Sequence, residues 1–295
     1  MKLTTRTNIP WRRRAMALRR RGAHRVARFV SMCLEAVGEL GEVWQPVRRH
    51  DFGVGQGRPV VLLHGFGAPR RILHVLERRL RNNLGVAVMS FHLPGLGGAF
   101  GKHSMEAEAA RLSEKLERLC QRHNVKEFDI IGHSKGGLMA RYLASSTPIG
   151  SRVRTVISLG SPFSGAPLAL LGIFAIGAFS KTVWDLVPLS TFLRQMRKRK
   201  LPPHVRMVSV AGSLDTIAPA FLCRVPTDAG APGMVHNYVI NGVGHSSLLV
   251  SRRVFAIIQS ELTRHRPPTV AEVRRIQSRF PPDEGLARKP GRSAG

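Results

Sequence analysis

The feature that most constrains this chain is a Gly-x-Ser-x-Gly motif formed by Gly132, Ser134 and Gly136. An apolar run at residues 125–131 precedes it and a helix-like segment at residues 137–144 follows, so the serine lies where a buried strand turns sharply into a helix. Such a turn strains the serine backbone, and a Cβ atom on either flanking glycine would clash across it. The motif predicts a nucleophile elbow, with the first amides of the helix pointing towards a developing oxyanion.

Strand-like and helix-like segments alternate along the middle of the chain. The other predicted strands are residues 59–63, 85–91, 152–159, 205–211 and 236–240, and the other predicted helices are residues 69–81, 104–123 and 247–262. The longest helix has Ser104 as its cap, with Glu106 and Glu108 near its positive end. Alternation at this spacing predicts an α/β fold, with a mostly parallel central sheet and helices on both faces.

The elements divide the chain into three parts. Residues 1–57 form a basic arm with an amphipathic helix, residues 58–265 an α/β domain, and residues 266–295 a basic Pro/Arg-rich tail. A cap or lid insertion is expected at about residues 163–203. Its uncharged segment at residues 168–179 is shorter than the roughly 20 residues of a spanning helix. We therefore expect a lid over an acyl pocket rather than a transmembrane segment.

The most unusual property of the composition is its excess of positive charge. The net charge is +28, and residues 1–30 hold ten basic residues and no acid. A second cluster lies at residues 194–200. Such clusters attract polyanions, so an anionic membrane surface is the expected partner, nucleic acid is the less favoured one, and a solvated arm is the alternative. The apolar positions after Arg25 predict a helix that lies on a membrane or packs on the main domain.

Three cysteines, Cys33, Cys120 and Cys223, are odd in number and lack metal-ligand spacing. They argue against a disulfide framework and for a reducing compartment, with each cysteine a small buried residue. The N-terminal region is too interrupted by charge for a signal peptide, and an organellar transit peptide is a minor alternative. The sequence thus predicts a cytoplasmic protein, with peripheral membrane contact as a further option.

A serine nucleophile needs a base and an orienting acid, which in this fold follow in the order Ser, acid, His. Four histidines follow the elbow: His204, His236, His245 and His265. His245 lies in a glycine-rich loop between the last strand and the last helix, from which an imidazole can reach over the serine, so it is the predicted base. His204 and His236 belong to strand regions, and His265 to the basic tail.

Asp215 is the predicted acid. It follows the strand at residues 205–211, and catalytic groups gather at the carboxyl ends of strands in open α/β sheets. Its rivals are Asp185, which falls in the cap, and Asp228, which has no strand before it.

The oxyanion hole needs two backbone donors. The N–H of Lys135 follows the nucleophile, and the N–H of Phe66 follows the first core strand. His64 is expected to brace this loop rather than act as a base. Two roles stay open for the Lys135 side chain, which is either solvated or attracts an anionic head group.

Five blocks of the sequence resemble the bacterial lipase/esterase branch of the α/β-hydrolase superfamily: residues 59–67, the elbow, and residues 159–167, 212–219 and 242–249. The third block is similar to a Gly-Thr-Pro-His-x-Gly-Thr segment, with Ser161 and Phe163 replacing Thr and His. Residues 185–193 resemble a cap segment of these proteins. Lys135 replaces the Met or Gln that is most frequent there.

The resemblance covers residues 58–262 and implies a serine hydrolase of lipid or other acyl esters that needs no cofactor and no metal. A thioesterase or an acyltransferase on the same triad is the alternative within the fold. The alternative outside it is a non-catalytic protein that binds membranes or nucleic acid.

Overall fold

The computed structural model describes residues 55, 57–66, 70–91, 103–166 and 181–264. The predicted lid segment at residues 168–179 lies outside the described residues, as do nearly all of the predicted basic arm and the predicted C-terminal tail.

Six strands form one sheet, and every neighbouring pair is parallel. The strands are β1 (Val60–Leu63), β2 (Val88–Phe91), β3 (Phe128–His133), β4 (Val153–Leu159), β5 (Arg206–Gly212) and β6 (Val235–Ile240). Their spatial order is β2-β1-β3-β4-β5-β6. The predicted α/β class with a parallel sheet is confirmed.

The helices of the described residues are α1 (His74–Leu84), α2 (Met105–Arg122), α3 (Lys135–Ser146), α4 (Lys181–Asp185), α5 (Thr191–Lys198) and α6 (Arg252–Thr263). Ser104 caps α2 by accepting a hydrogen bond from the Ala107 amide at 3.3 Å, as its position predicts. The closing helix begins later than predicted, because Ser251 is its cap and residues 246–249 form a separate 3₁₀ turn directly after His245.

Alternating side chains of β1 show why the sheet is covered on both faces. Val60 and Leu62 pack in one apolar cluster with residues of α1 and α6, whereas Val61 and Leu63 pack in the other with residues of α2, α3 and α5. All four side chains are fully buried. A strand buried on both faces must be apolar throughout, which is the pattern that the sequence has here.

The strand order reverses next to β1. From β1 the chain moves outward to β2, and it then returns to place β3 on the other side of β1. Such a switch point opens a crevice at the carboxyl ends of the two strands, where open α/β sheets bind their ligands. Ser134 directly follows β3, and the loop with Phe66 directly follows β1. The fold thus brings the predicted nucleophile and the predicted oxyanion loop to the same crevice.

The cysteines that the structure describes are buried, as predicted. Cys120 and Cys223 are buried free cysteines, and burial raises the pKa of the Cys120 thiol to about 11. Cys33 lies outside the described residues. Within the described part of the chain, no helix combines the length and the apolar character needed to cross a bilayer.

Candidate active site

Ser134 has the strained backbone that the elbow motif predicts. Its φ is 54° and its ψ is −121°, a left-handed conformation that is costly for a residue with a side chain. Its amide donates to the Leu159 carbonyl at 2.9 Å, which ties the turn to β4. The flanking glycines are required by close approach, since a Cβ atom on Gly132 would overlap the Gly136 carbonyl and one on Gly136 would overlap the Leu63 carbonyl.

Asp215 and His245 meet at the carboxyl ends of β5 and β6. His245 Nδ1 lies 2.7 Å from Asp215 Oδ2, and the Asp215 side chain is fully buried. The other carboxylate oxygen, Oδ1, accepts from the amides of Ile217 and Ala218 at 3.0 and 2.7 Å. With its carboxylate held at both oxygens, Asp215 fixes the His245 ring and selects the tautomer in which Nδ1 carries the proton. The Nε2 atom is then available to accept a proton.

Gly160 makes room for this pair. It follows β4 with a φ of +58°, and a Cβ atom there would stand 3.0 Å from Asp215 Oδ2 and 3.1 Å from His245 Nδ1. Both the backbone conformation and the missing side chain are therefore needed. The block at residues 159–167, noted in the sequence only for its resemblance, contains the residue that lets β4 pass beneath the acid and the base.

The rival candidates lie elsewhere. Asp185 Oδ2 accepts from the Met105 amide at 2.8 Å, and Asp228 forms an exposed ion pair with Lys200 at 2.9 Å. His204 Nε2 donates to the Gly150 carbonyl and His236 Nε2 to the Gly233 carbonyl, at 3.2 and 2.7 Å. His265 lies outside the described residues. Of the candidates that are described, Asp215 and His245 are the acid and the histidine that bond to each other.

His133 is a site residue that sequence reasoning missed, although it stands inside the elbow motif. Its ring centroid lies 4.6 Å from that of His245, and its Nε2 donates to the His245 carbonyl at 3.3 Å. Burial, and then the neighbouring His245 and His64, lower the pKa of His133 to about 3, so the ring stays neutral. A neutral imidazole therefore supports the loop that carries His245 without adding charge beside it.

The predicted oxyanion loop lies against the nucleophile. A Cβ atom on Gly65 would stand 3.0 Å from Ser134 Cβ, so the chain passes the serine at van der Waals distance. His64 is buried, and its Nδ1 donates to the Gly65 carbonyl at 2.8 Å. This contact agrees with the predicted bracing role of His64. The next residue, Phe66, carries one predicted oxyanion donor, and Lys135 carries the other at the start of α3.

The Lys135 side chain departs from both interpretations that the sequence left open. It is 1% exposed, and its Nζ lies 2.7 Å from Glu108 Oε2 and 6.0 Å from the centroid of the Phe66 ring. Burial lowers the pKa of Lys135, while the carboxylates of Glu108 and Asp185 act in the opposite direction. The sequence could not reveal this pair, because Glu108 lies 27 residues away on another helix.

Asp185 links the cap to the start of α2. It ends α4, its Oδ2 bonds the Met105 amide, and its own carbonyl accepts from Ser190 Oγ at 2.7 Å. A carboxylate at a helix N-terminus is favoured by the helix dipole. Burial nevertheless raises the pKa of Asp185 to about 6, the Met105 amide opposes that rise, and Glu106 and Glu108 add to it.

This carboxyl group should make stability depend on pH. Because its pKa is raised in the folded state from 3.8 to about 6, the folded protein holds the proton more tightly than the unfolded chain. Stability from this group is greatest below pH 4 and is lost as the pH rises to 6. In Asp185→Asn the amide oxygen still accepts from Met105, so the variant should gain stability relative to the parent across that window. A gain of about 1–2 kcal/mol allows for partial exposure.

Thermal unfolding of both proteins from pH 4 to 7 measures this difference. Asp228→Asn is the matched control, because the Lys200 ion pair lowers the pKa of Asp228 and the difference should then be flat or of opposite sign. A Tm difference for Asp185→Asn that stays constant between pH 4 and 6 would contradict the expectation.

Comparisons with known proteins bear on the fold. Residues 58–182 match the family model described as the alpha/beta hydrolase fold. The lipase BlEst2 of Bacillus licheniformis superimposes with a TM-score of 0.54 at 18% identity, covering 75% of this chain and 96% of that one. This chain has the α/β-hydrolase fold, and the resemblance predicted from its motifs is confirmed.

Two curated relatives match part of the chain. The magnesium-chelatase 30 kDa subunit of Rhodobacter capsulatus is 35% identical over 34% of each chain, and the triacylglycerol lipase of Pseudomonas fragi is 29% identical over 45% of each. The matches thus span between a third and a half of the length of these relatives.

Proposed function

We propose that this protein is a serine hydrolase of carboxylic esters, with Ser134 as nucleophile, His245 as base and Asp215 as the orienting acid. Two observations carry the proposal: the 2.7 Å bond between Asp215 and His245, and the strained backbone of the elbow serine. An ordinary loop serine has no reason to keep a φ of 54°, whereas an exposed nucleophile on a tight turn does. The similarity to a triacylglycerol lipase over 45% of the chain gives further support.

In this mechanism Ser134 Oγ attacks the acyl carbon while His245 Nε2 takes its proton. The negative charge that develops on the carbonyl oxygen is stabilised by the amides of Phe66 and Lys135. The proton on Nε2 then passes to the departing alcohol as the carbon–oxygen bond breaks. His245 Nε2 then takes a proton from water as the water oxygen attacks the acyl carbon. The bond from that carbon to Ser134 Oγ breaks, the imidazolium returns its proton to Oγ, and the carboxylic acid is released. Asp215 keeps the imidazolium oriented throughout.

A fluorophosphonate probe tests the proposal directly. The protein should be labelled at Ser134 and should hydrolyse p-nitrophenyl esters, and Ser134→Ala should lose both properties. Labelling without release of acid to water, but with transfer of the acyl group to an added alcohol or thiol, would indicate the acyltransferase alternative. No labelling of the folded parent protein would leave a non-catalytic binding protein as the better interpretation.

Lipid or long acyl esters are the proposed substrates. Large apolar side chains that an acyl chain could contact are exposed on the cap and on the loop after β5: Trp184, Leu189, Leu214 and Phe221. Leu189 is 72% exposed and also holds a left-handed φ of 67°. Contact with an apolar substrate or a lipid surface would explain why a leucine is both strained and exposed here.

Contact with an anionic membrane is proposed alongside. On α5 the side chains of Phe192, Leu193 and Met196 are buried, whereas Arg194, Arg197 and Lys198 are exposed. Replacing these three basic residues with glutamine should weaken binding to phosphatidylserine vesicles about 100-fold at low salt, at about 1 kcal/mol for each charge. Binding to uncharged vesicles should not change.

Vesicle co-sedimentation of the full chain measures this effect, beside duplex DNA binding and a variant that lacks residues 1–30. Salt weakens binding to anionic vesicles and to duplex DNA alike, so salt dependence cannot distinguish the two partners. The test is therefore which of the two the protein binds. If the protein binds duplex DNA but ignores anionic vesicles, the membrane proposal is wrong.

A further inference from the structure

The Lys135 side chain reaches the residue that carries the other half of the oxyanion hole. Its backbone N–H is one proposed donor, while its Nζ lies 6.0 Å from the ring centroid of Phe66, whose N–H is the second. A lysine ammonium at this distance is attracted to the face of an aromatic ring. The Lys135 side chain therefore connects the two donor residues, of which Phe66 lies in the turn after β1 and Lys135 begins α3 after β3.

Glu108 holds the ammonium in that place. The Nζ–Oε2 distance is 2.7 Å, and the exposed fractions of the two side chains are 1% and 3%. A buried ion pair is not in itself a source of stability, since removing two charges from water offsets most of their attraction. Such a pair is better explained by the geometry that it imposes. Here that geometry is the position of Phe66 relative to Lys135, the first residue of α3.

The relative positions of Phe66 and Lys135 matter because an oxyanion hole tolerates little displacement of its donors. Its donors must stand 2.7–3.1 Å from the position of the developing oxyanion, so a shift of a few tenths of an ångström weakens transition-state binding. The first turn of α3 packs on the end of β1, because the missing Cβ of Gly136 lets it approach the His64 carbonyl. Phe66 lies two residues after His64, in a turn. Its side chain is where an additional restraint can act.

We infer that the buried Lys135–Glu108 pair is a positioning device that fixes Phe66 and thereby sets the oxyanion hole. This inference rests on the proposed hydrolase function. Because its ammonium is buried against Glu108, Lys135 acts on the reaction through Phe66 and not by touching the substrate with its side chain. The Lys135 side chain is therefore a positioning group, while its backbone N–H is the proposed oxyanion donor.

The experiment compares binding of the transition state with binding of the ground state. In Lys135→Met the kcat for a p-nitrophenyl ester should fall 10- to 100-fold with KM within about twofold, the pattern of an interaction made only in the transition state. The Ki of a trifluoromethyl ketone, which forms a tetrahedral adduct with a serine, should rise by the same factor. The Ki of a non-reacting ketone of the same length should not change.

Two further variants separate positioning from the cost of a buried unpaired charge. The double variant Lys135→Met/Glu108→Met removes both charges of the pair, so it should be more stable than Lys135→Met and yet keep the low kcat. Phe66→Leu retains its backbone N–H but loses the ring, and it should show a similar loss. Combined with Lys135→Met it should lose little more, because both changes remove the same restraint.

The matched control is a second buried ion pair. Arg206 Nε lies 2.6 Å from Glu261 Oε2 between β5 and α6, with side-chain exposures of 7% and 0%. Arg206→Met should lower stability and leave the ratio of ketone affinities unchanged. If Lys135→Met and its double variant change that ratio no more than Arg206→Met does, the pair is structural only and the inference is wrong. Failure of the proposed function would look different, since the parent protein would then show neither labelling nor turnover.

Discussion

Ser134→Ala should lower kcat for ester hydrolysis by a factor on the order of 10⁴–10⁶, and His245→Ala should lower it about as much. Each change leaves the other residue without a partner for the proton transfer that both serve. The double variant should therefore be little worse than either single one. Initial-rate kinetics with a short-chain p-nitrophenyl ester measure all three proteins against the parent.

The Asp215 contact extends this prediction. Asp215→Asn keeps the shape of the side chain, but an amide can present its NH₂ group to His245 Nδ1 and so favour the other tautomer. We expect a loss of about 10⁴ in kcat, on the scale of the corresponding change in serine proteases. Turnover of an acyl ester by Ser134→Ala near the parent rate would end the proposal that these residues act as one unit.

A single added methyl group in Gly136→Ala should strongly destabilise the protein. Alanine is favoured over glycine inside a helix by about 1 kcal/mol, so a neutral position on α3 would gain stability. At this position the added Cβ would overlap the Leu63 carbonyl and stand 2.8 Å from that of His64. The first turn of α3 would have to move away from β1, and we expect a loss on the order of 4 kcal/mol.

Denaturant unfolding of Gly136→Ala beside Gly244→Ala checks this prediction. A Cβ atom on Gly244 would meet only the Leu214 carbonyl, at an ordinary 3.8 Å. The control substitution should therefore change the free energy of unfolding by less than about 1 kcal/mol. Equal stability of the two variants would show that the close approach of α3 to β1 is not required.

Much of this fold could be predicted because its signals are local. The apolar runs of β1 and β3, the capping serine before α2 and the glycines of the elbow act within a few residues of the structure that they specify. Context was still needed, because residues 291–295 also read Gly-x-Ser-x-Gly but lack an apolar strand before them. The elbow at Ser134 was identified by the strand and the helix around its motif.

The sequence was less informative about which side chains pair in the site. The sequence narrowed the base to a loop histidine and the acid to a residue after a strand, but four histidines and three aspartates were candidates. The bond between Asp215 and His245 joins side chains 30 residues apart, and Gly160, which makes room for them, is further away still in the sequence. The local sequence around each of these residues does not predict that they meet in the fold.

The sequence by itself determined the α/β class, the elbow and the order of the predicted triad, since periodicity, turn chemistry and chain order are properties of short segments. Only the tertiary structure decided where side chains from distant segments meet. It placed Lys135 against Glu108 instead of in water, neutral His133 against the ring of His245, and Asp185 on the first amide of α2. Burial and long-range pairing set these environments, and both arise only when the strands and helices pack together.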